Sequence, residues 1–263
     1  MHVMDMFNLN GKIAVITGGA GKYGYQIVEA LAEAGATVYV ASRNRKNNAE
    51  RLSDLIKQNY KIRFAEFDLE NSDSIISMCD EIYAKENKVD ILVNNAVLRV
   101  SPTDTSCADA FSRSMNANAT GLFIISKAFG DRMAKAGYGS IINIGSYMGI
   151  LGPDYFLYQG TDMLSSDGMM PGDYFFHKGG MTNYTRFLAG HYGQHGVRVN
   201  CAELGGLFNN QPEKFVKRYC EKTMLGRMAN DTDLKGLILY LASDASLYMT
   251  GAIIPLDGGY SAK

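Results

Sequence analysis

The sequence has few features that would tie it to nucleic acid, a metal or a membrane. Its 263 residues carry a formal net charge of −1, so no field of one sign would gather a polyanion. The four cysteines form no CxxC pair and share no ligand spacing with the histidines, which predicts reduced thiols and no metal site. The first ten residues lack a signal-peptide pattern, and no apolar run nears the roughly 18 residues that span a bilayer. We therefore expect a cytoplasmic protein that binds a small molecule.

What the sequence does contain is an alternation of apolar β-branched runs and amphipathic stretches. The strand-like runs are Lys12 to Thr17, Ala36 to Ser42, Lys61 to Phe67, Val89 to Asn94, Ser140 to Gly145, Val197 to Ala202 and Ala252 to Leu256. Helical spacing covers 24–34, 46–58, 72–86, 106–136, 174–194 and 231–243. This order predicts an α/β fold, a doubly wound (Rossmann) parallel sheet of about seven strands with helices on both faces. The length favours a single domain, 1–263, with ligands at the carboxyl ends of the strands.

A glycine-rich turn follows the first strand and leads into the first helix. Glycines let the backbone approach a pyrophosphate, whose charge the amides at the helix N-terminus can meet. Such a turn can also be a plain connection, but its position between strand and helix predicts a dinucleotide site. The side chain of Lys22 either contacts a phosphate or points to solvent. The expected contacts of this turn are Gly18, Ala20, Gly21, Lys22, Tyr23 and Gly24.

The second strand ends without the acidic residue that binds the ribose 2′-hydroxyl in NAD enzymes. Ser42 can donate a hydrogen bond there and Arg43 can pair with a 2′-phosphate, so we expect NADP(H) in preference to NAD(H). The alternative is that Arg43 belongs to a solvated helix start. Asp68, followed by Leu69, comes after the third strand and either accepts from the adenine amino group or caps the next helix.

Tyr174 and Lys178 lie four residues apart in a helical stretch, so their side chains share a face one turn apart. A neighbouring ammonium stabilises a phenolate, which suits a tyrosine to proton transfer. This spacing is common by chance, and it gains weight from polar residues at strand ends and in the long helix. These residues are Asn94, Asn95, Asn118 and Ser146.

The ordered set resembles the short-chain dehydrogenase/reductase family, whose landmarks are a TGxxxGxG turn, NNAG, a helix Asn, a Ser after the fifth strand, and YxxxK. The likeness covers essentially all 263 residues and continues to Asp257-Gly258-Gly259. It implies that Tyr174 is the acid/base, Lys178 binds the nicotinamide ribose, Ser146 orients the substrate oxygen and Asn118 holds a proton-relay water.

The resemblance also implies further cofactor contacts and an assembly. The cofactor contacts would be Asn95, Ala96, Tyr174, Lys178, Gly205 and Leu207. The assembly would be a homo-oligomer, a tetramer or dimer, with the helices over 106–136 and 174–194 and the C-terminal segment at its interfaces. No metal is implied.

The chain departs from the family at the glycine turn, at NNAG and after the sixth strand. Lys22 stands in place of the middle glycine of the turn, and Val97 stands in place of the glycine of NNAG. After the sixth strand, Leu204-Gly205 replaces proline-glycine and is preceded by Glu203. These changes motivate an alternative, a non-catalytic dinucleotide-binding regulatory protein. A methyltransferase on a similar sheet is a third class, which would bind S-adenosylmethionine instead.

The largest departure is the interval of 28 residues from Ser146 to Tyr174 (174 − 146), about twice that of most family members. We predict an insertion near 152–172 that arches over the substrate pocket. An oligomer contact or a surface excursion is the alternative. The insertion offers Asp154, Tyr155, Tyr158, Asp162 and Asp167, a mixture suited to a hydroxylated ligand.

The substrate contacts predicted from these features are Ser146, Tyr155, Tyr158 and Glu203. The stretch 205–212 also resembles members of bacterial sugar and flagellin-modification pathways. The sequence thus predicts an NADP(H)-dependent oxidoreductase that transfers hydride between nicotinamide and a carbonyl or secondary alcohol, with a sugar, sugar derivative or polyol as substrate.

Overall fold

A computed structural model describes residues 2–100, 107–164 and 168–263, so Asp167 lies outside the described residues. Seven strands form one sheet in the order β3-β2-β1-β4-β5-β6-β7, and every pair is parallel. The predicted fold class is confirmed. The strands are β1 (Ile13–Thr17), β2 (Thr37–Ser42), β3 (Ile62–Glu66), β4 (Ile91–Asn94), β5 (Gly139–Ile144), β6 (Val197–Leu204) and β7 (Ile253–Leu256).

The strand order reverses beside β1, which pairs with β2 on one side and with β4 on the other. At such a point the connections leave in opposite directions, and a crevice opens beyond the carboxyl ends of the strands. The register places Thr17 opposite Ala41 and Asn94 opposite Asn143. The polar residues that end these strands therefore meet at one edge of the sheet.

The helices cover both faces of the sheet, as predicted. They are α1 (Lys22–Glu33), α2 (Arg45–Arg51), α3 (Ser53–Lys57), α4 (Ser72–Glu86), α5 (Ala108–Met115), α6 (Leu122–Ala136), α7 (Gly172–Tyr192), α8 (Glu213–Lys222) and α9 (Lys235–Ala242). One core cluster packs α1 and α9 against the sheet, and a second packs α4, α6 and α7 against the opposite face. None of the helices in the described ranges is both long enough and apolar enough to cross a membrane.

Three helical predictions differ from the structure. The stretch 46–58 forms two short helices, and the helix that continues from α5 into α6 contains a π-helical turn at Asn116–Gly121. There Gly121 passes so close to the chain after β3 that an added Cβ would lie 2.5 Å from the carbonyl oxygen of Leu69. The third difference is α8, which was not predicted because only Phe215 and Tyr219 are buried on an otherwise charged helix.

Candidate active site

A cleft of about 920 Å³ lies at the carboxyl edge of the sheet. Its floor is formed by the ends of the central strands, and its walls by the segment between β5 and α7 and by α8. The glycine turn lines one end, and Ser146, Tyr174 and Lys178 line the other. The structure therefore brings the predicted cofactor residues and the predicted catalytic residues into one cavity.

The glycine turn is built for a close approach of backbone to ligand. Gly18 has a φ of +65°, and a Cβ at Gly21 would lie 3.1 Å from the Gly18 carbonyl oxygen. Helix α1 begins at Lys22 without a side-chain cap, which leaves its first amides and the positive end of its dipole facing the cleft. Lys22 lines the rim of the cleft and is exposed, so both alternatives for its side chain are compatible with its position.

Gly24 packs beneath this turn and does not line the cleft. A Cβ on Gly24 would lie 2.3 Å from the carbonyl oxygen of Gly18 and 2.8 Å from that of Gly19. Its predicted role as a cofactor contact is corrected accordingly: the missing side chain lets helix and turn meet, and the effect on a ligand is indirect.

Asn95 holds the turn in shape. Its Nδ2 donates to the carbonyl oxygens of Thr17 at 3.0 Å and Gly18 at 2.9 Å. The Thr17 hydroxyl accepts from the amides of Asn95 at 3.0 Å and Ala96 at 2.9 Å. Tyr23 joins the turn to the chain after β6, because its hydroxyl donates to the carbonyl oxygen of Gly205 at 2.9 Å; we call this hydrogen bond the clasp. Contacts to the ends of β1, β4 and β6 thus fix this end of the cleft.

The chain after β2 and helix α2 present cations to the cleft. Arg43 and Arg51 line it, and Arg43 lies 3.8 Å from Glu70. Glu70 is engaged mainly by Arg113, whose hydrogen bond at 2.7 Å lowers the pKa of that carboxyl. Ser42 accepts a hydrogen bond from Asn48 at 2.7 Å, so its hydroxyl proton is available for a ligand.

Asp68 also lines the cleft, and it is not the cap of the following helix. Its Oδ1 accepts from the amide of Glu70 at 3.0 Å, while the cap of α4 is Asn71, which accepts from the amide of Ser74 at 3.0 Å. The helix-cap alternative is therefore wrong. Leu69 and Ala96 lie beside it along the same wall. Three features of this part of the cleft fit a phosphorylated dinucleotide. They are the uncapped N-terminus of α1, the glycine turn, in which a Cβ would occupy the space, and the cationic side chain of Arg43 after β2.

Tyr174 and Lys178, the predicted catalytic pair, lie on α7 at the other end. Lys178 is buried, its Nζ donates to the carbonyl oxygen of Ile144 at 2.6 Å, and it lies 5.7 Å from the centre of the Tyr174 ring. Ser146 lies two residues after the end of β5, and its hydroxyl accepts from the amide of Met148 at 3.2 Å, which leaves its proton free to donate. The phenol of Tyr174, the hydroxyl of Ser146 and the ammonium of Lys178 thus line the same part of the cleft.

Asn118 lies in the π-helical turn and does not line the main cleft. Its side chain binds both polar backbone groups of Leu98 at 2.8 Å and donates to Ser114 at 3.1 Å. Ser114 in turn donates to Asp173, the residue before Tyr174. The side chain therefore fixes the chain after β4 relative to α7.

Glu203 does not reach the substrate, which corrects its assignment as a substrate contact. It is 0% exposed, its Oε2 accepts from the amide of Ser146, and its Oε1 accepts from the hydroxyl of Thr182 at 2.6 Å. Thr182 lies one turn after Lys178 on α7. Glu203 therefore ties β5, β6 and α7 together behind the catalytic residues.

The wall over the substrate end differs from the polar lid that the sequence predicts. Of the four described candidates in the insertion only Tyr158 lines the cleft. Asp154 pairs with Lys222 at 2.9 Å, and Tyr155 is 42% exposed outside the cleft. Asp162 is exposed as well. The wall is instead largely apolar and rich in methionine: Tyr147, Met148, Met163, Leu164, Met169, Met170, Phe215, Tyr219 and Met228 line it, and Leu207 lies near its lower edge.

Sequence reasoning missed Arg99 and His177. The guanidinium of Arg99 lies 5.5 Å from the centre of the Tyr174 ring and lines the cleft. Its position five residues after Asn94 was the only sequence signal. His177 packs edge-on against Tyr174, with ring centres 5.1 Å apart.

Burial raises the pKa of Tyr158 to about 12, so its hydroxyl stays protonated as a donor in the cleft. Among the described residues no cluster of three or more His, Cys, Asp or Glu could hold a metal ion.

Comparison with known proteins gives a consistent match along the chain. Residues 21–261 match a family model described as enoyl-(acyl carrier protein) reductase. Cyclopentanol dehydrogenase of Comamonas testosteroni is 26% identical over 98% of this chain and 100% of its own length. Gluconate 5-dehydrogenase of Gluconobacter oxydans is 28% identical over 97% of this chain and 96% of its own length. A solved gluconate 5-dehydrogenase from Burkholderia cenocepacia, in complex with NADP and tartrate, aligns over 100% of both chains with a TM-score of 0.87 and 27% identity.

Proposed function

We propose a specific reaction from one premise: this chain belongs to the short-chain dehydrogenase/reductase family and is an oxidoreductase acting on CH–OH groups. The proposal is reversible hydride transfer between NADP(H) and a secondary alcohol or its carbonyl counterpart. The observation that carries it is the convergence of Ser146, Tyr174 and Lys178 in the cleft that the glycine turn also lines.

The roles of the three residues follow from their chemistry. The nicotinamide of the bound dinucleotide supplies or accepts the hydride. Tyr174 takes the proton from the substrate oxygen during alcohol oxidation and returns it during carbonyl reduction. Ser146 donates a hydrogen bond to the same oxygen, which stabilises the charge that develops there. Lys178, whose Nζ donates to the Ile144 carbonyl oxygen, places a positive charge 5.7 Å from the centre of the Tyr174 ring, where it can stabilise the charge that develops during the reaction.

A substitution of Tyr174 tests the reaction. We expect Tyr174→Phe to lower kcat roughly 10²–10⁴-fold, the usual contribution of a positioned acid/base, while NADPH still binds. Tyr248→Phe, at a fully exposed tyrosine, is the matched control. The measurement is NADPH oxidation or NADP⁺ reduction with a panel of ketones, cyclic alcohols, polyols and sugar acids. Equal turnover by Tyr174→Phe and wild type would refute the assigned role.

The preference for NADP(H) over NAD(H) rests on Arg43 and Ser42 at the end of β2. A hydrogen bond to a charged group contributes about 1.5–3 kcal/mol, so Arg43→Ala should raise the Kd of NADPH about ten- to a hundredfold and leave that of NADH unchanged. Arg45→Ala is the control, because Arg45 pairs with Glu66 and does not line the cleft. Equal affinities for both dinucleotides in wild type would overturn the preference.

The substrate predicted from the sequence is a sugar, sugar derivative or polyol. The relatives that act on gluconate and galactitol favour it, and Arg99 and Tyr158 offer polar contacts beside Tyr174. The methionine-rich wall favours a less polar body instead, as in the relative named for cyclopentanol. We retain the polyol class as the proposal, and the ratio of kcat/KM for polyols to that for cyclic alcohols in the same panel decides it.

We also propose the predicted homo-oligomer. Phe123 on α6 and Phe187 on α7 are 49% and 61% exposed, and Phe187 stacks on Tyr184 with ring centres 5.8 Å apart. Exposed aromatic side chains on neighbouring helices are typical of an interface. Light scattering of Phe187→Glu should give a smaller particle than wild type, and a wild-type monomer would refute the assembly.

A further inference from the structure

Three charged side chains among the described residues line the cleft around Tyr174. Two are cations, Arg99 and Lys178, and the third is the carboxylate of Asp173. Lys178 and Asp173 are buried, with 4% of each residue exposed. Both are also bonded within the protein, the ammonium to a backbone carbonyl oxygen and the carboxylate to a serine hydroxyl. Arg99 is exposed, so its guanidinium is the charged group that a ligand in this part of the cleft can reach.

The guanidinium of Arg99 has no carboxylate partner in the described ranges. Every ion pair within 4.0 Å there joins other residues. The contact that the structure shows for Arg99 is with the ring of Tyr174, whose centre lies 5.5 Å from its Cζ. A guanidinium can stack on an aromatic ring and still use the N–H groups at its edge, which form a planar fork that matches a carboxylate. The donors of Arg99 are therefore available to an anion beside Tyr174.

The side chains near Arg99 do not offset its charge. Burial raises the pKa of Tyr158 to about 12, and the charge of Arg99 opposes that rise. Burial, followed by the charges of Lys178 and Arg99, lowers the pKa of His177 to about 3. The phenol and the imidazole are both neutral at physiological pH as a result. The field of Arg99 thus extends over two neutral groups close to Tyr174.

The polar side chains in this part of the cleft are mainly donors. Arg99 has five N–H groups, Tyr158 keeps its proton, and Ser146 has a proton that no described acceptor uses. The acceptors are already engaged or buried: the side-chain oxygen of Gln211 accepts from a backbone amide, one oxygen of Asp173 accepts from a serine, and its other oxygen is buried. A ligand that brings acceptor oxygens and a negative charge would satisfy these donors. A neutral polyol would leave the guanidinium without a counter-ion.

The wall opposite these donors limits the ligand to one anionic group. None of the described lining residues from 147–164, 168–170 and α8 carries a charge. A second anionic group would therefore face apolar side chains and lose its hydration without a compensating cation.

We propose that Arg99 binds a carboxylate of the substrate, and that the substrate is accordingly a hydroxy acid or the corresponding oxo acid. Two N–H groups of the guanidinium donate to the two carboxylate oxygens, while Ser146 and Tyr174 contact the oxygen on the carbon that is oxidised. Oxidation of the hydroxy acid moves a hydride from that carbon to NADP⁺ and the hydroxyl proton to Tyr174, and the carboxylate is unchanged. This inference rests on the proposed function, and it narrows the polyol class to its acids.

The first test measures the effect of the carboxylate charge on turnover. Short hydroxy acids and sugar acids are each compared with their neutral amides, at saturating NADP⁺. A hydrogen bond between charged groups corresponds to about a ten- to a hundredfold change in affinity, so Arg99→Gln should raise KM for the acids by that factor and leave KM for the amides unchanged. Arg99→Lys keeps the charge without the planar fork and should fall between Arg99→Gln and wild type.

The control is Arg45→Gln, which removes an arginine that pairs with Glu66 outside the cleft and should behave as wild type. Wild-type kcat/KM should be at least tenfold higher for an acid than for its amide. Equal values for acid and amide would overturn the inference. A lower kcat for acids and amides alike in Arg99→Gln, with KM unchanged, would also overturn it, because the arginine would then act on Tyr174 and not on the substrate.

The second test needs no turnover. Calorimetric titration of the full chain saturated with NADP⁺ uses three probes: butanoate, its neutral amide butanamide, and inorganic phosphate. Arg99→Gln should raise the Kd of butanoate at least tenfold and leave that of butanamide unchanged. Added salt should weaken butanoate binding, because the site is exposed and the charges are screened. Equal Kd values for butanoate in wild type and Arg99→Gln, or tighter binding of phosphate than of butanoate, would overturn the carboxylate assignment.

The two tests separate this inference from the proposed function. A chain that binds butanoate through Arg99 but oxidises no alcohol would refute the proposed function and support the anion site. A chain that oxidises neutral alcohols as efficiently as acids, with no effect of Arg99→Gln on either, would support the proposed function and refute the anion site.

Discussion

The two ends of the cleft differ in how their geometry is held. The cofactor end is fixed by backbone contacts, such as those from Asn95 to Thr17 and Gly18, within and between neighbouring strands. The wall at the other end is formed by side chains of residues 147–164 and 168–170 and of α8, which pack against one another. Substitutions at the first end should therefore act through the backbone, and those at the second through individual side-chain contacts.

The sharpest contrast is between two glycines. Gly24→Ala would place a Cβ 2.3 Å from a backbone oxygen that cannot move without shifting the turn, whereas Gly152→Ala meets nothing within 4 Å. Because overpacking costs about 1–3 kcal/mol, Gly24→Ala should lower Tm and weaken NADPH binding at least tenfold. Gly152→Ala should change neither, as measured by thermal unfolding and fluorescence titration. Equal effects at both positions would remove the distinction between the two ends.

The next contrast concerns Glu203, which lies behind Ser146 and α7. Glu203→Leu leaves the buried amide of Ser146 without an acceptor, at about 1–3 kcal/mol, whereas the Thr182 hydroxyl can still donate to the carbonyl oxygen of Lys178 at 3.1 Å. We expect a lower midpoint of denaturant unfolding together with a lower kcat, because Ser146 loses its anchor. Glu203→Gln keeps one acceptor oxygen, so it should lower the unfolding midpoint and kcat by less than Glu203→Leu does. A raised KM with unchanged stability would instead support the substrate contact expected from the sequence.

The smallest effect is expected within the insertion. Tyr158→Phe removes a hydroxyl that lines the cleft, while Tyr155→Phe removes one outside it. A neutral hydrogen bond contributes about 0.5–1.5 kcal/mol, so Tyr158→Phe should raise KM roughly two- to tenfold for a hydroxylated substrate. Tyr155→Phe should leave KM unchanged. If both variants had the KM of wild type for polyols, Tyr158 would not be a substrate contact, and the polyol proposal would lose the support of the insertion.

The same contrast explains what the sequence could predict. The glycine turn, Ser146 and the Tyr174–Lys178 pair each belong to one strand end or one helical turn, so local spacing places them. Glu203 was misassigned because its burial depends on a contact to Ser146 across 57 residues. Helix α8 was not predicted because only two of its residues, both aromatic, are buried, and most of the others are charged. Five acidic or aromatic residues in the insertion indicated a polar lid, but the side chains that line the cleft there are mainly apolar.

The clasp between Tyr23 and Gly205 joins residues 182 positions apart, and Gln26 on the same helix binds the carbonyl oxygen of Asn230. During synthesis the glycine turn leaves the ribosome long before either partner exists. Domains are made from the N-terminus at about 5–20 residues per second, so the turn waits on the order of ten seconds for its clasp. Over that interval the first βα unit lacks the contacts that join α1 to the C-terminal third of the chain.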